Sequence, residues 1–297
     1  MKMTEEKTEK KFEKFYNKNY KLLLLIPILI LLFSFIYMAI FYSNTGDFVY
    51  KDFSLTGGTS ITILGKINAD DLKSTLSEKL DEINTREIFD LITREQKALI
   101  VETKTDSEEA KKILEDYIGH ELTTENSSVE FIGPTLGENF YKQLLIAVLF
   151  AFLFMGVVVF IIFRSFVPSA AVIISAFADI LMTLTLVDIL GIKMSSAGLV
   201  AFLMLIGYSV DTDILLTTRI LKRHEGELNE RFFGAFKTGI TMTLTSLLAV
   251  ILALIVVSSF SVVLTQIFTI LTIGLGFDIL NTWITNASIL KWYAGRK

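Results

Sequence analysis

From Leu22 to Phe41 the chain runs for 20 residues without a charged side chain. At 1.5 Å per residue such a run covers the roughly 30 Å of a bilayer's hydrocarbon core. It is too long for the apolar centre of a signal peptide. The "YSNTG" behind it also lacks a small-x-small cleavage pattern, so it reads as a retained anchor that tolerates Pro27 near its start. Five more apolar stretches, at about 141–163, 169–190, 196–217, 239–258 and 262–290, are each long enough to span. With 52% hydrophobic residues, the chain exceeds what a soluble core absorbs. Inside a bilayer the backbone must satisfy its own hydrogen bonds, and runs of this length do so as helices. The expectation is an α-helical polytopic membrane protein with six transmembrane helices in a 1+5 layout.

Residues 43–140, between the first and second spans, are made of different material. "TSITILG" alternates as a strand, and "ADDLKSTLSEKLDEI" has helical spacing behind an Asn68 cap. "REIFDLI" and "KALIVET" read as strands joined by a hairpin-length link. "DSEEAKKILEDYIG" is a second helix stopped by Gly119, and "SSVEFIG" closes with a strand. The order β-α-β-β-α-β is that of a ferredoxin-like α+β domain. The chain thus divides into a tail (1–21), a first span (22–42), the α+β domain (43–140), a five-helix bundle (141–290) and a second tail (291–297). The N-terminal tail holds seven lysines, and Arg164, the 218–237 loop and Lys291, Arg296 and Lys297 are also basic. The alternate short loops carry only Lys193. By the positive-inside rule both tails face the cytoplasm of a cell membrane and the 43–140 domain lies outside it.

Four aspartates interrupt this apolar material. Asp179, Asp211, Asp213 and Asp278 fall well inside expected spans, where a charge costs roughly 2.5–3.5 kcal/mol on insertion scales. Asp211 lies roughly 12 Å from the cytoplasmic edge marked by Arg219, and Asp179 and Asp278 are similarly deep. Asp211 and Asp213 are about 200° apart on a helix, so one can face the bundle while the other faces a groove or partner. Gly207, one turn earlier, would permit close helix approach. Thr238, Thr241 and Thr245 form a stripe behind Lys237 that could bond a titrating carboxylate or line a water path. Arg219, Lys237 and Thr241 are the expected partners of the buried acid. Both histidines, His120 and His224, fall outside the apolar runs, so an intramembrane proton carrier must be a carboxylate. The absence of cysteine removes thiolate metal sites and thiol nucleophiles. Around "GGTSITILGK" the glycine spacing is wrong for a phosphate loop, and Ile67 stands where Ser or Thr is needed. No enzyme activity, cofactor, metal or nucleic-acid partner is expected. "GLGFD" near Asp278 approaches an intramembrane aspartyl-protease signature, but Phe277 intervenes and no second motif accompanies it.

The chain resembles the SecF branch of the SecD/SecF protein-export family, within the RND superfamily, along nearly its whole length. The resemblance rests on "GYSVDTD…TTR" in the fourth span, "DFSLTGGT" opening the outer domain, "FIGPTLGENF" before the second span and "FKTGITMTLTSLL" in the fifth. The fourth-span signature is closest to the archaeal type. It implies a half-transporter that partners SecD beside the Sec translocation channel and draws on the proton gradient to help exported polypeptides leave. Bacterial members carry their functional acid at the position of Thr212, which acids flank here as Asp211 and Asp213. The family's fifth-span arginine falls on Lys237. The Asp52, Gly57 and Gly58 motif holds two extra residues within 54–56, and Gly133, Pro134, Gly137 and Gly207 are matched as structural positions. Two other readings are a small-molecule efflux half-transporter of the same fold and a passive scaffold for the outer domain.

Overall fold

The computed structural model describes residues 2–90, 93–222, 227–259 and 261–296, with side chains described from residue 13 onward. The expected Leu91–Ile92 end of the second strand, and Arg223, His224 and Lys297, lie outside the described residues. Helix α1 (Lys2–Leu23) and helix α2 (Leu25–Thr45) make a nearly continuous rod interrupted at Leu24. Pro27 explains the break, because it offers no N–H to the Leu23 carbonyl one turn earlier. Gly46, at φ 74°, ends α2 by donating its N–H to the Tyr42 carbonyl at 2.8 Å.

A short helix α3 (Phe53–Thr56) then leads into β1 (Gly58–Leu64), α4 (Ala69–Leu76), β2 (Asn84–Phe89), β3 (Gln96–Thr103), α5 (Ser107–Ile118) and β4 (Ser127–Ile132). The strands form one antiparallel sheet in the order β2-β3-β1-β4. This is the ferredoxin-like arrangement expected from the element order. Alternation decides its faces. Ile61, Ile63, Leu99 and Val101 point to one side and are sealed by Leu72, Leu76, Ala110 and Leu114 of α4 and α5. The Asn68 side chain accepts from the N–H groups of Asp70 and Asp71, and Gly119 ends α5 at φ 82°. Ser60, Thr62, Ile100 and Glu102 take the other face. With Arg86 and Glu130 they roof a cleft of about 220 Å³ whose floor is Ser195, Val262, Val263 and Gln266 at the helix ends below.

Helices α6 (Pro134–Phe163), α7 (Phe166–Ile189), α8 (Ser196–Leu221), α9 (Leu228–Val257) and α10 (Val262–Leu280) make the bundle. The last span continues through a π-helix (Asn281–Asn286) into α11 (Ala287–Ala294). Among the described residues, six helical segments are thus long and apolar enough to cross a membrane. The chain is a multi-pass membrane protein. α7, α8 and α10 occupy its centre, whereas α6 and α9 turn large apolar side chains such as Leu149, Phe154, Leu248 and Leu252 outward. α6 begins at Pro134, earlier than the apolar run alone suggests, and α9 begins at Leu228 behind a Glu227–Glu230 capping box.

The matched glycine motifs meet at one joint between the sheet domain and the bundle. Asp52 caps α3 by accepting from the Ser54 N–H at 2.9 Å and the Ser54 hydroxyl at 2.6 Å. That hydroxyl oxygen accepts from the Ser196 N–H at 2.9 Å, and the Asp52 N–H donates to the Met194 carbonyl at 3.0 Å. Lys51 and Met194 form an isolated parallel bridge. Gly57 (φ 82°) lies against the Gly133–Pro134 backbone, and a Cβ on Gly137 would stand 2.6 Å from the Gly57 nitrogen. Here only glycine lets two backbones touch. Burial beside Glu102 pushes the Asp52 carboxyl up from 3.8 to about 6, against the pull of its Ser54 hydrogen bonds and Arg86. Gly207, by contrast, has no atom within 4 Å of where its Cβ would stand. The close approach expected there is made instead at Gly274 on Leu205 and at Gly239 on Trp283.

Candidate functional site

Asp179 on α7, Asp213 on α8 and Asp278 on α10 are fully buried and converge in the centre of the bundle. Asp179 accepts from the Ser209 hydroxyl at 2.5 Å and the Asn281 amide at 2.7 Å. Asp213 Oδ1 accepts from the Thr282 hydroxyl at 2.9 Å and the Asn286 amide at 2.8 Å. Asp278 sits beside Thr282 at 3.1 Å and has both its oxygens 3.2 Å from the Thr212 hydroxyl. The Thr282 oxygen therefore bridges the acids of α8 and α10. These partners are neutral hydroxyls and amides.

Of the residues expected from sequence, the structure brings Asp179, Asp213, Asp278 and Thr212 together. Asp211 is exposed on the opposite face of α8, as its offset from Asp213 requires. Arg219 is not a partner of the acids: its Nη1 donates to the Gly234 carbonyl at 2.8 Å, fastening α8 to α9. Lys237 is exposed at a rim shared with Glu13 and Glu230. Thr241 gives its hydroxyl to the Lys237 carbonyl at 2.7 Å, and Thr238 and Thr245 likewise bond carbonyls of their own helix. The physical reason is rotational. The 238/241/245 stripe faces outward, and the buried threonine of α9 is Thr243.

Sequence reasoning missed Ser209, Asn281, Thr282 and Asn286. For Asn281, Thr282 and Asn286 the signal was present in "DILNTWITN", where amides stand deep inside an apolar run, and Ser209 stood inside "GYSVDTD". A search restricted to charges passes over them.

The fold and the site together define a polytopic membrane protein whose bundle gathers three carboxylates beneath an α+β domain. A family model described as protein export membrane protein SecD/SecF, C-terminal, matches residues 111–296. The chain is 43% identical over 248 residues to the protein-export membrane protein SecF of Methanocaldococcus jannaschii, covering 82% of this chain and 86% of that one. It is 36% identical to those of Methanolacinia petrolearia (92% and 93% covered) and Pyrococcus furiosus (93% and 92%). The crystal structure of SecDF, a translocon-associated membrane protein from a Thermus species, superposes with a TM-score of 0.73 at 20% identity. That match covers 93% of this chain and 38% of the SecDF chain. The chain belongs to the SecD/SecF family of protein-export membrane proteins.

Proposed function

We propose that this chain is the SecF subunit of a SecDF complex that assists polypeptide export through the Sec channel, driven by protons crossing at the Asp213–Asp278 pair. A SecD-like subunit supplies the other half. Both termini face the cytoplasm and the sheet domain stands outside, as the loop charges require. The observation that carries the reading is the bridging hydroxyl of Thr282. It holds one hydrogen and lies within reach of both Asp213 and Asp278. The Thr212 hydroxyl, also with one hydrogen, is 2.9 Å from the Ser209 carbonyl. Once these hydrogens go to Asp213 and Ser209, Asp278 closes the network only by carrying a proton itself. A proton passing between the two acids changes which helices attract one another. Moving one charge across about 100 mV supplies roughly 2.3 kcal/mol, enough to bias a two-state bundle.

The sheet domain offers the efflux reading little space. The cleft of about 220 Å³ under the sheet is smaller than the roughly 300–1,000 Å³ of small-molecule sites. The test is gradient-driven export by vesicles containing this chain and its SecD-like partner. Asp213→Asn and Asp278→Asn should each abolish the gradient-dependent part, Asp179→Asn should reduce it, and Asp211→Asn should leave most of it. Full export in all four assembled variants would leave only the scaffold reading standing.

A further inference from the structure

The site depends on a feature of the last span that its hydropathy hides. Five residues separate Asn281 from Asn286. On an α-helix they would stand about 140° apart and could not both face the acids. In a π-helix five residues make little more than one turn, and the offset falls to about 50°. The π register is what lets Asn281 reach Asp179 on α7 while Asn286 reaches Asp213 on α8.

Such a register leaves a backbone group to account for. In an α-helix the Ala287 N–H would bond the Trp283 carbonyl, four residues back. Here it bonds the Thr282 and Ile284 carbonyls instead. The Trp283 carbonyl accepts the Tyr16 hydroxyl of α1 at 2.8 Å, in a fully buried contact. Tyr16 is itself fixed by stacking on Phe232, with ring centroids 5.0 Å apart. A second fastening lies one turn further on. The Lys291 ammonium stands 4.6 Å from the Phe232 ring and 5.0 Å from Tyr16, and it bonds the Asn17 side chain. Trp283 in turn fills the space that Gly239 leaves on α9.

We propose that Tyr16 is a positioning residue for the buried aspartates: its hydroxyl caps the displaced Trp283 carbonyl, holds residues 281–286 in the π register, and so keeps Asn281 and Asn286 on the acids. The cytoplasmic helix α1, which touches none of the three carboxylates, thereby controls the site from outside the bundle. This inference deepens the proton-coupling reading and rests on it. When the Tyr16 bond is lost, the segment relaxes to α geometry and the two amides rotate away. Asp179 and Asp213 then lose donors that favour their charged form, and protonation sets in at higher pH.

The experiment is an infrared pH titration of the carboxylic C=O band in the purified, membrane-reconstituted complex. The titratable groups facing the segment are Asp179, Asp213 and Asp278, with the Tyr16 hydroxyl on the Trp283 carbonyl. Tyr16→Phe keeps the ring stack and removes only the hydroxyl. It should move the band's midpoint up by about one pH unit, a tenfold change in proton affinity. Deleting Ile284, a partly exposed residue of the π turn, restores α register with the two amides four residues apart and still on one face, so it should leave the midpoint at the wild-type value and make Tyr16→Phe silent. A midpoint unchanged by Tyr16→Phe, beside a wild-type band that does titrate, overturns the positioning role and leaves the coupling reading intact. If Tyr16→Phe does not assemble, the double variant decides: assembly restored by the Ile284 deletion supports the positioning role, and a double variant that still fails overturns it. A wild-type band whose titration is unchanged when Asp179, Asp213 and Asp278 are all replaced by Asn sinks the coupling reading itself.

Discussion

Substituting alanine at Gly57 should weaken the attachment of the outer domain by the sum of two separable costs. One is conformational, because φ 82° with ψ 161° is a region side chains avoid, at about 1–3 kcal/mol. The other is steric. The new Cβ would lie 2.6 Å from the Pro134 nitrogen and closer still to its Cα, both backbone atoms of the first turn of α6. Overpacking of that kind costs about 1–3 kcal/mol. Two neighbours isolate the components. Gly46→Ala meets a positive φ of 74° with nothing within 4 Å, so it reports conformation alone. Gly137→Ala has no positive φ but clashes with the Gly57 nitrogen at 2.6 Å, so it reports sterics alone. Equilibrium unfolding in mixed micelles, followed by circular dichroism, should rank Gly57→Ala about 2–6 kcal/mol below wild type, with each single-cause variant nearer 1–3. Hydrogen exchange should show the loss concentrated where α3 meets α6. If Gly57→Ala costs no more than Gly46→Ala, the two backbones are not in contact and the joint described above is wrong.

Other outcomes follow from the same geometry. The raised Asp52 carboxyl binds its proton more tightly folded than unfolded, so its contribution is present below about pH 4 and lost as pH rises through about 6. The loss is about 3 kcal/mol, and Asp52→Asn should remove that share of the pH dependence in the window while the wild-type unfolding midpoint falls. Leu99→Ala, at a site with no exposure under α4 and α5, should cost about 2–5 kcal/mol and unfold a soluble fragment spanning 46–133 that is otherwise folded by circular dichroism. Asn68→Ala should cost that fragment about 1 kcal/mol, read from its urea midpoint, through two lost cap bonds. Gly239→Ala should drive a methyl into the Trp283 indole and reduce export without touching any of the acids, measured in the same vesicles as the aspartate variants.

The apolar runs announce the spans because the bilayer imposes a length, and length survives in one dimension. The sheet domain was equally open to reading. Asn68 and Gly119 stand at helix ends, and Ile61, Ile63, Leu99 and Val101 alternate as their strands require. The depth of Asp179, Asp213 and Asp278 could be counted along their helices, and all three do meet. What bonds them could not be counted. Arg219 and Thr241 lie at suitable depths but on other faces, because helix rotation within a bundle is fixed by neighbours that a single helix does not encode. The amides escaped for a sharper reason. A 3.6-residue period places Asn281 and Asn286 on different faces, and only one extra residue in the turn, carried by a tyrosine about 270 positions away, puts them on the same one.

Helix α6 runs unbroken from Pro134, inside the joint with the outer domain, to Phe163 at the far side of the bundle. Thirty residues of α-helix make a rod about 45 Å long. Its upper end is keyed to α3 through Gly57 and Gly137, and its lower end packs through Val159 and Phe163 on Val172 and Val210, on the helices that carry Asp179 and Asp213. A tilt of about 10° about that lower end would carry the sheet domain by about 8 Å. The sheet domain needs no hinge of its own to move over the bundle: it rides on the tip of a crank.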